Sequence, residues 1–205
     1  MDFFDMVERL RLEAADIAAD TGEIQVEAYS LGYRTTFTHM GMSFEVKIKR
    51  KYWVNPDFAK DAHGKQVVTG MEGFEVEFSD EEGFAPSGKF GSQAFGAYGL
   101  ILLAVKKLVD AAESREPERC EFLSFRGYDD KMDLVYDRFV RRHLASRYTR
   151  VDKFYYVRND ILQRVHDATG GGSIGRVRKG QRDAASYLAS VKRDIRSQRL
   201  GEVDS

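Results

Sequence analysis

The spacing of apolar residues changes period several times along the 205-residue chain, and each change marks an element. Phe3, Phe4, Met6, Val7, Leu10, Ala14, Ile17 and Ala18 recur at helical spacing until Thr21-Gly22, which predicts a helix over residues 2–20. The chain then turns extended. "IQVEAYSLGYRTTFT" is rich in β-branched and aromatic residues, and "SFEVKIKRKYWV" alternates Phe44, Val46 and Ile48 with Glu45, Lys47 and Lys49. Asn55-Pro56 and His63-Gly64 signal turns. "GFEVEFSDE" alternates Phe74, Val76 and Phe78 with Glu75 and Glu77, another half-buried strand.

Beyond Gly91 the helical period returns. Tyr98, Ile101, Leu102, Val105, Leu108, Val109 and Ala112 form a broad apolar stripe, a helix of about four turns. "RCEFLSF" reads as a short strand. Asp129-Asp130 can cap a helix carrying Met132, Val135, Phe139 and Val140, with Arg138, Arg141 and Arg142 near its C-terminal end, where cations favour the dipole. "YTRVDKFYYVRN" reads as one more strand. After about Asn159 come a short helix, "DILQRVHDA", a glycine-rich basic linker, "TGGGSIGRVRKGQR", and a last helix with Ala184, Leu188, Val191 and Ile195 on one face. Consecutive strands followed by helix–strand alternation predict an α/β (α+β) sheet flanked by helices. Residues 1–159 would form that domain, and residues 160–205 the linker and a C-terminal helical extension.

Composition narrows the function classes. With 42% hydrophobic and 12% aromatic residues the chain can bury one good-sized core, and only three prolines argue against disorder. The formal charge of −1 gives no global field for nucleic acid. Residues 151–205 nevertheless carry 11 Lys/Arg against 7 Asp/Glu, leaving −5 for residues 1–150. The single cysteine, Cys120, excludes an internal disulfide and reads as a small core residue. His39, His63, His143 and His166 have no ligand spacing, so no metal is expected. The acidic N-terminus lacks the basic start of a secretion signal, and the longest apolar stretch, Ala97 to Val105, is far short of a membrane span. The expectation is a soluble, cytoplasmic protein.

The succession of strand, glycine loop, apolar helix, strand and charged aromatic helix resembles the second half of a GNAT-type N-acetyltransferase domain. "GSQAFGAYGLILLAVKKLV", "EPERCEFLSF" and "LVYDRFVRRHL" are similar to small GNAT-like proteins met in bacteriophage genomes, over roughly residues 67–158. The resemblance implies a mixed, mostly antiparallel sheet and a pyrophosphate site for acetyl-CoA on the loop before the central helix. There, backbone N–H groups face the anion and glycines let the backbone come close. Gly91, Gln93, Phe95, Gly96 and Ala97 would form that loop; Gln93 and Gly96 match the family pattern, while Tyr98 stands where the family has a small residue. The same glycines also suit a tight turn into a closely packed helix.

Tyr136 matches the family's acid for the departing thiolate, a role that suits a phenol of pKa about 10. A helix tyrosine can also pack on the sheet with its hydroxyl at the surface. Glu75 and Glu77 are the carboxylates for the base, or are simply solvated strand positions. Backbone N–H groups at Phe78 and Ser79 would polarise the thioester carbonyl. The acceptor would be an amine on a small molecule or a protein, in the host cytoplasm if the protein is phage-encoded. The alternative is a catalytically inactive GNAT-like protein that binds a host or phage protein, for instance to counter a defence system.

"GGGSIGRV" spaces Gly170 and Gly175 like a phosphate-binding P-loop, but Arg176 and Val177 stand where Lys and Ser/Thr are needed. The basic tail offers one aromatic, Tyr187, for base stacking and is interrupted by Asp183 and Asp194. A solvated face or a docking surface for a protein partner is the expectation there, rather than nucleic acid.

Overall fold

The computed structural model describes residues 24–39, 41–80, 94–125 and 130–203, so the helix expected over residues 2–20 and the cap at Asp129 lie outside the described residues. In chain order the elements are β1 (Glu27–Tyr29), β2 (Gly32–His39), β3 (Met42–Val54), β4 (Gly70–Asp80), α1 (Ala94–Arg115), β5 (Phe122–Phe125), α2 (Asp130–His143), β6 (Tyr148–Arg150), β7 (Tyr155–Arg158), α3 (Asn159–Ala168) and α4 (Gly172–Val203). The seven strands form one mostly antiparallel sheet in the order β1-β2-β3-β4-β5-β7-β6. The class is therefore mixed α+β. The chain divides into two compact units, Met1–Lys51 with Phe74–Cys120, and Tyr52–Gly73 with Glu121–Ser205.

In the first unit the register Tyr33↔Ile48, Thr35↔Val46 and Phe37↔Phe44 puts the alternating apolar residues of β2 and β3 side by side. Tyr33, Phe44, Val46, Ile48, Phe74 and Val76 are buried, and α1 packs against β2 with Ile101, Val105, Leu108, Val109 and Ala112 in the core. Each of the Val, Leu, Ile and Phe side chains among these contributes about 1.5–3 kcal/mol when fully buried. The helix has 22 residues, about two turns more than the stripe alone predicts, because it starts at Ala94 and runs to Arg115.

In the second unit Phe58, Ala59, Met71, Phe122, Val157, Ile161, Val165 and Val177 form a core, with Trp53 packed against it. Trp53 stacks on Tyr155 at 4.0 Å between centroids and meets Phe58 and Phe122 at 5.5 and 5.6 Å. Gly73 lets β4 lie close against Phe122: a Cβ there would stand 2.3 Å from the Phe122 carbonyl oxygen.

Two expectations are corrected. "YTRVDKFYYVRN" is a hairpin of β6 and β7 rather than one strand. The Asp152 carboxylate oxygen Oδ1 accepts the backbone N–H groups of Phe154 (2.8 Å) and Tyr155 (2.9 Å), an Asx-type turn that reverses the chain. The stretch read as a flexible linker is helical from Gly172 onward. Its glycines serve close packing: a Cβ on Gly172 would lie 2.7 Å from the Ala62 nitrogen, and one on Gly180 1.9 Å from the Val151 oxygen. The αL turn that enters α4 falls on Gly170 and Gly171, with φ of 57° and 85°.

Candidate functional site

The residues expected to act together are distributed over both units. In the first, strand alternation turns Glu75 and Glu77 to the face opposite Phe74 and Val76, the pair in the core. Both carboxylates are engaged. Lys51 Nζ lies 2.6 Å from Glu75 Oε1, and Lys49 pairs with Glu77, which raises the lysine's pKa. Phe78 and Ser79 are half-buried near the end of β4.

Gly91 and Gln93 lie outside the described residues. Phe95, Gly96 and Ala97, expected in a loop, belong to the first turn of α1, which opens at Ala94 and carries no acidic residue there. The leading amides of a helix have no intrahelical acceptor and carry the positive end of its dipole. The first turn of α1, "AFGA", holds no carboxylate to compete for those amides.

Tyr136 belongs to the second unit. It is 2% exposed, and its ring lies 5.1 Å from that of Phe125 at a tilt of 43°. Its ring thus packs beside β5, and the side chain is buried instead of ending at the surface.

No family model, curated protein or solved structure matches the chain.

The second unit also holds a constellation that the sequence reading missed. Asp137, one residue beyond Tyr136, accepts Arg150 Nη1 at 2.6 Å and Arg141 Nε at 3.0 Å. The Asp137 and Arg150 side chains are only 9% and 12% exposed, so the pair is buried and its partners have to be complete. Arg150 meets that requirement by also donating Nε to the Asp152 oxygen at 2.9 Å and Nη2 to the Lys153 oxygen. Its guanidinium carbon sits 5.3 Å from the centre of the Tyr156 ring, whose hydroxyl pKa is raised by burial. A cavity of about 240 Å³ opens beside it, lined by Asp137, Arg141, Tyr148, Arg150, Tyr156 and Gln181 together with Val140, Ala145 and Ala185. The one legible signal was the helical spacing of Asp133, Asp137 and Arg141; the hairpin arginine that completes the pair is not local in sequence.

Among the described residues no group of side chains could hold a metal ion, and no helix is long and apolar enough to cross a membrane. Cys120 is buried, with Sγ 3.4 Å from the Glu116 oxygen.

Proposed function

We propose that the chain is a GNAT-like N-acyltransferase that transfers acetyl from acetyl-CoA to an amine. The observation that carries the reading is the order of strand β4 and then α1, whose first turn, Ala94–Ala97, holds no acidic residue. The succession β5–α2 that follows in the chain, with Tyr136 on α2, adds support. In this reading the α1 amides bind the CoA diphosphate. The acceptor nitrogen attacks the thioester carbonyl carbon, the C–S bond breaks, and CoA leaves as a thiolate. Glu75 or Glu77 takes the proton lost by the amine, Tyr136 gives one to the thiolate, and the N–H groups of Phe78 and Ser79 polarise the carbonyl. Positioning supplies most of the acceleration.

A second reading has its own observation. Both candidate bases are held by lysines and Tyr136 is 2% exposed, which suits a GNAT-like scaffold that works by binding another protein. The polar side of α4 would be its docking surface.

Calorimetric titration with acetyl-CoA and CoA, beside an acetyl-transfer assay on small amines and lysine peptides, separates the two. Saturable heat that is lost in Gly96→Glu supports the transferase. Absence of heat and of any thermal shift at millimolar ligand removes it and leaves the scaffold. Binding that survives Gly96→Glu rejects the α1 junction as the site.

A further inference from the structure

We infer that the cavity bounded by α2, α4 and the β6–β7 hairpin binds a small organic monoanion, with Arg141 as the charge partner of its carboxylate. Its lining carries two guanidiniums against one carboxylate, a surplus of one positive charge. Arg150 does not supply that surplus. Its nitrogens are committed to Asp137 and to the carbonyls of Asp152 and Lys153, and it is 12% exposed. Arg141 does. Its side chain is 69% exposed, and its ion pair is the 3.0 Å contact to Asp137, screened by solvent on the arginine's side. Turning its fork onto a ligand therefore costs little, while Asp137 keeps its buried partner.

The rest of the lining sets the ligand's other end. Val140, Ala145, Ala185 and the rings of Tyr148 and Tyr156 present apolar surface to the cavity. A ligand cation is disfavoured, because Arg150 already lies 5.3 Å from the centre of the Tyr156 ring and both arginines would repel it. At roughly 30 Å³ per water-sized group, 240 Å³ holds about eight such groups, the size of a six-carbon fatty acid. Gln181 and Ala185 belong to α4, so the C-terminal helix contributes to the site.

The test uses the full chain without acetyl-CoA, which keeps it independent of the acyltransferase reading. Hexanoate is titrated at constant ionic strength and followed by backbone amide NMR, with acetate and hexylammonium as controls. Saturable shifts on residues 137–150, 156 and 181–185, with a Kd of about 1 mM, are expected. Acetate should bind at least tenfold more weakly. Arg141→Gln should weaken hexanoate about tenfold, and Ala185→Phe should abolish its binding; both positions are exposed, so unchanged melting temperatures check folding. No saturation, shifts elsewhere, equal binding of hexylammonium, or full binding by both variants would overturn the assignment.

Discussion

Arg50 and Glu116, far apart in sequence, form a two-pronged ion pair across the edge of the first unit's core. Arg50 Nη2 donates to Glu116 Oε1 at 2.6 Å and Nε to Oε2 at 3.2 Å. Arg50 Nη1 reaches the Ser30 oxygen at 2.9 Å, and the Tyr33 hydroxyl donates to Glu116 Oε1 at 2.7 Å. One carboxylate thus ties the β1–β2 turn, strand β3 and the end of α1. These hydrogen bonds, that from Arg50 foremost and then that from Tyr33, hold the Glu116 carboxyl at about 2 against an ordinary 4.5.

A depressed carboxylate pKa adds stability above the unfolded value, and the addition disappears as pH falls through the folded value. For Glu116 that window runs from 4.5 down to about 2. A shift of this size corresponds to about 3 kcal/mol. Because the Arg50 side chain is 34% exposed, solvent screening reduces the expected cost of Glu116→Gln to about 1–2 kcal/mol. Urea midpoints of both proteins between pH 7 and pH 3 check it. The gap should be widest above pH 5 and narrow as the solution becomes more acidic; a constant gap would deny the linkage.

Tyr33 gives the alkaline counterpart. Burial, aided by its hydrogen bond to Glu116, raises the phenol from 10.0 to about 12. A raised pKa on a group that is neutral at pH 7 gives stability that is complete below pH 10 and is lost as pH climbs through about 12. Tyr33→Phe keeps the ring against Phe74, 6.1 Å away, and removes only the hydroxyl. It should cost about 0.5–1.5 kcal/mol at pH 7, and the gap to the wild type should narrow as pH rises above 10, because the variant has no phenol to ionise. Thermal melts from pH 7 to pH 11 measure both.

Legibility in the sequence followed the range of the interactions. Phe44, Val46 and Ile48 announced β3 because alternation is local, and Ala184, Leu188, Val191 and Ile195 announced the buried face of α4 for the same reason; all seven are buried. The β6–β7 reversal was hidden because aromatic and β-branched residues continue through "YTRVDKFYYVRN", and the turn depends on one side-chain oxygen of Asp152. Gly172 and Gly180 misled because flexibility and close approach call for the same residue. The Asp137–Arg150 pair joins α2 to β6, and nothing local marks Arg150 as its partner. Of the expected acyl-transfer residues, Tyr136, Glu75 and Glu77 fitted strand and helix periodicity whichever role they have.

The buried pair gives a third prediction. Removing one partner leaves a charge in a poorly solvated site, at a cost of about 3–5 kcal/mol in other proteins. Arg150→Met should fall at the low end, since Arg141 still reaches Asp137 at 3.0 Å. The double variant Arg150→Met/Asp137→Leu removes the orphan as well and should recover more than half of the loss. Chemical denaturation of the wild type and the two variants is sufficient. A double variant no more stable than the single one would assign the loss to the missing bonds to the Asp152 and Lys153 carbonyls instead.

Gly175 and Gly180 of α4 separate flexibility from packing most directly. A Cβ on Gly175 meets nothing within 4 Å, so Gly175→Ala should stabilise the protein by about 0.5–1 kcal/mol through helix propensity and the unfolded chain. A Cβ on Gly180 would stand 1.9 Å from the Val151 oxygen and 3.0 Å from its carbon, both backbone atoms that cannot swing aside. Gly180→Ala gains the same propensity, yet α4 must lift from the hairpin, loosening the Gln181 bond to the Arg150 oxygen at 3.0 Å. A net loss of about 2 kcal/mol or more is expected. Because the substitution is identical and the two sites share one helix, the difference in melting temperature isolates the helix–hairpin contact. Were residues 169–182 a loose linker, both changes would be silent.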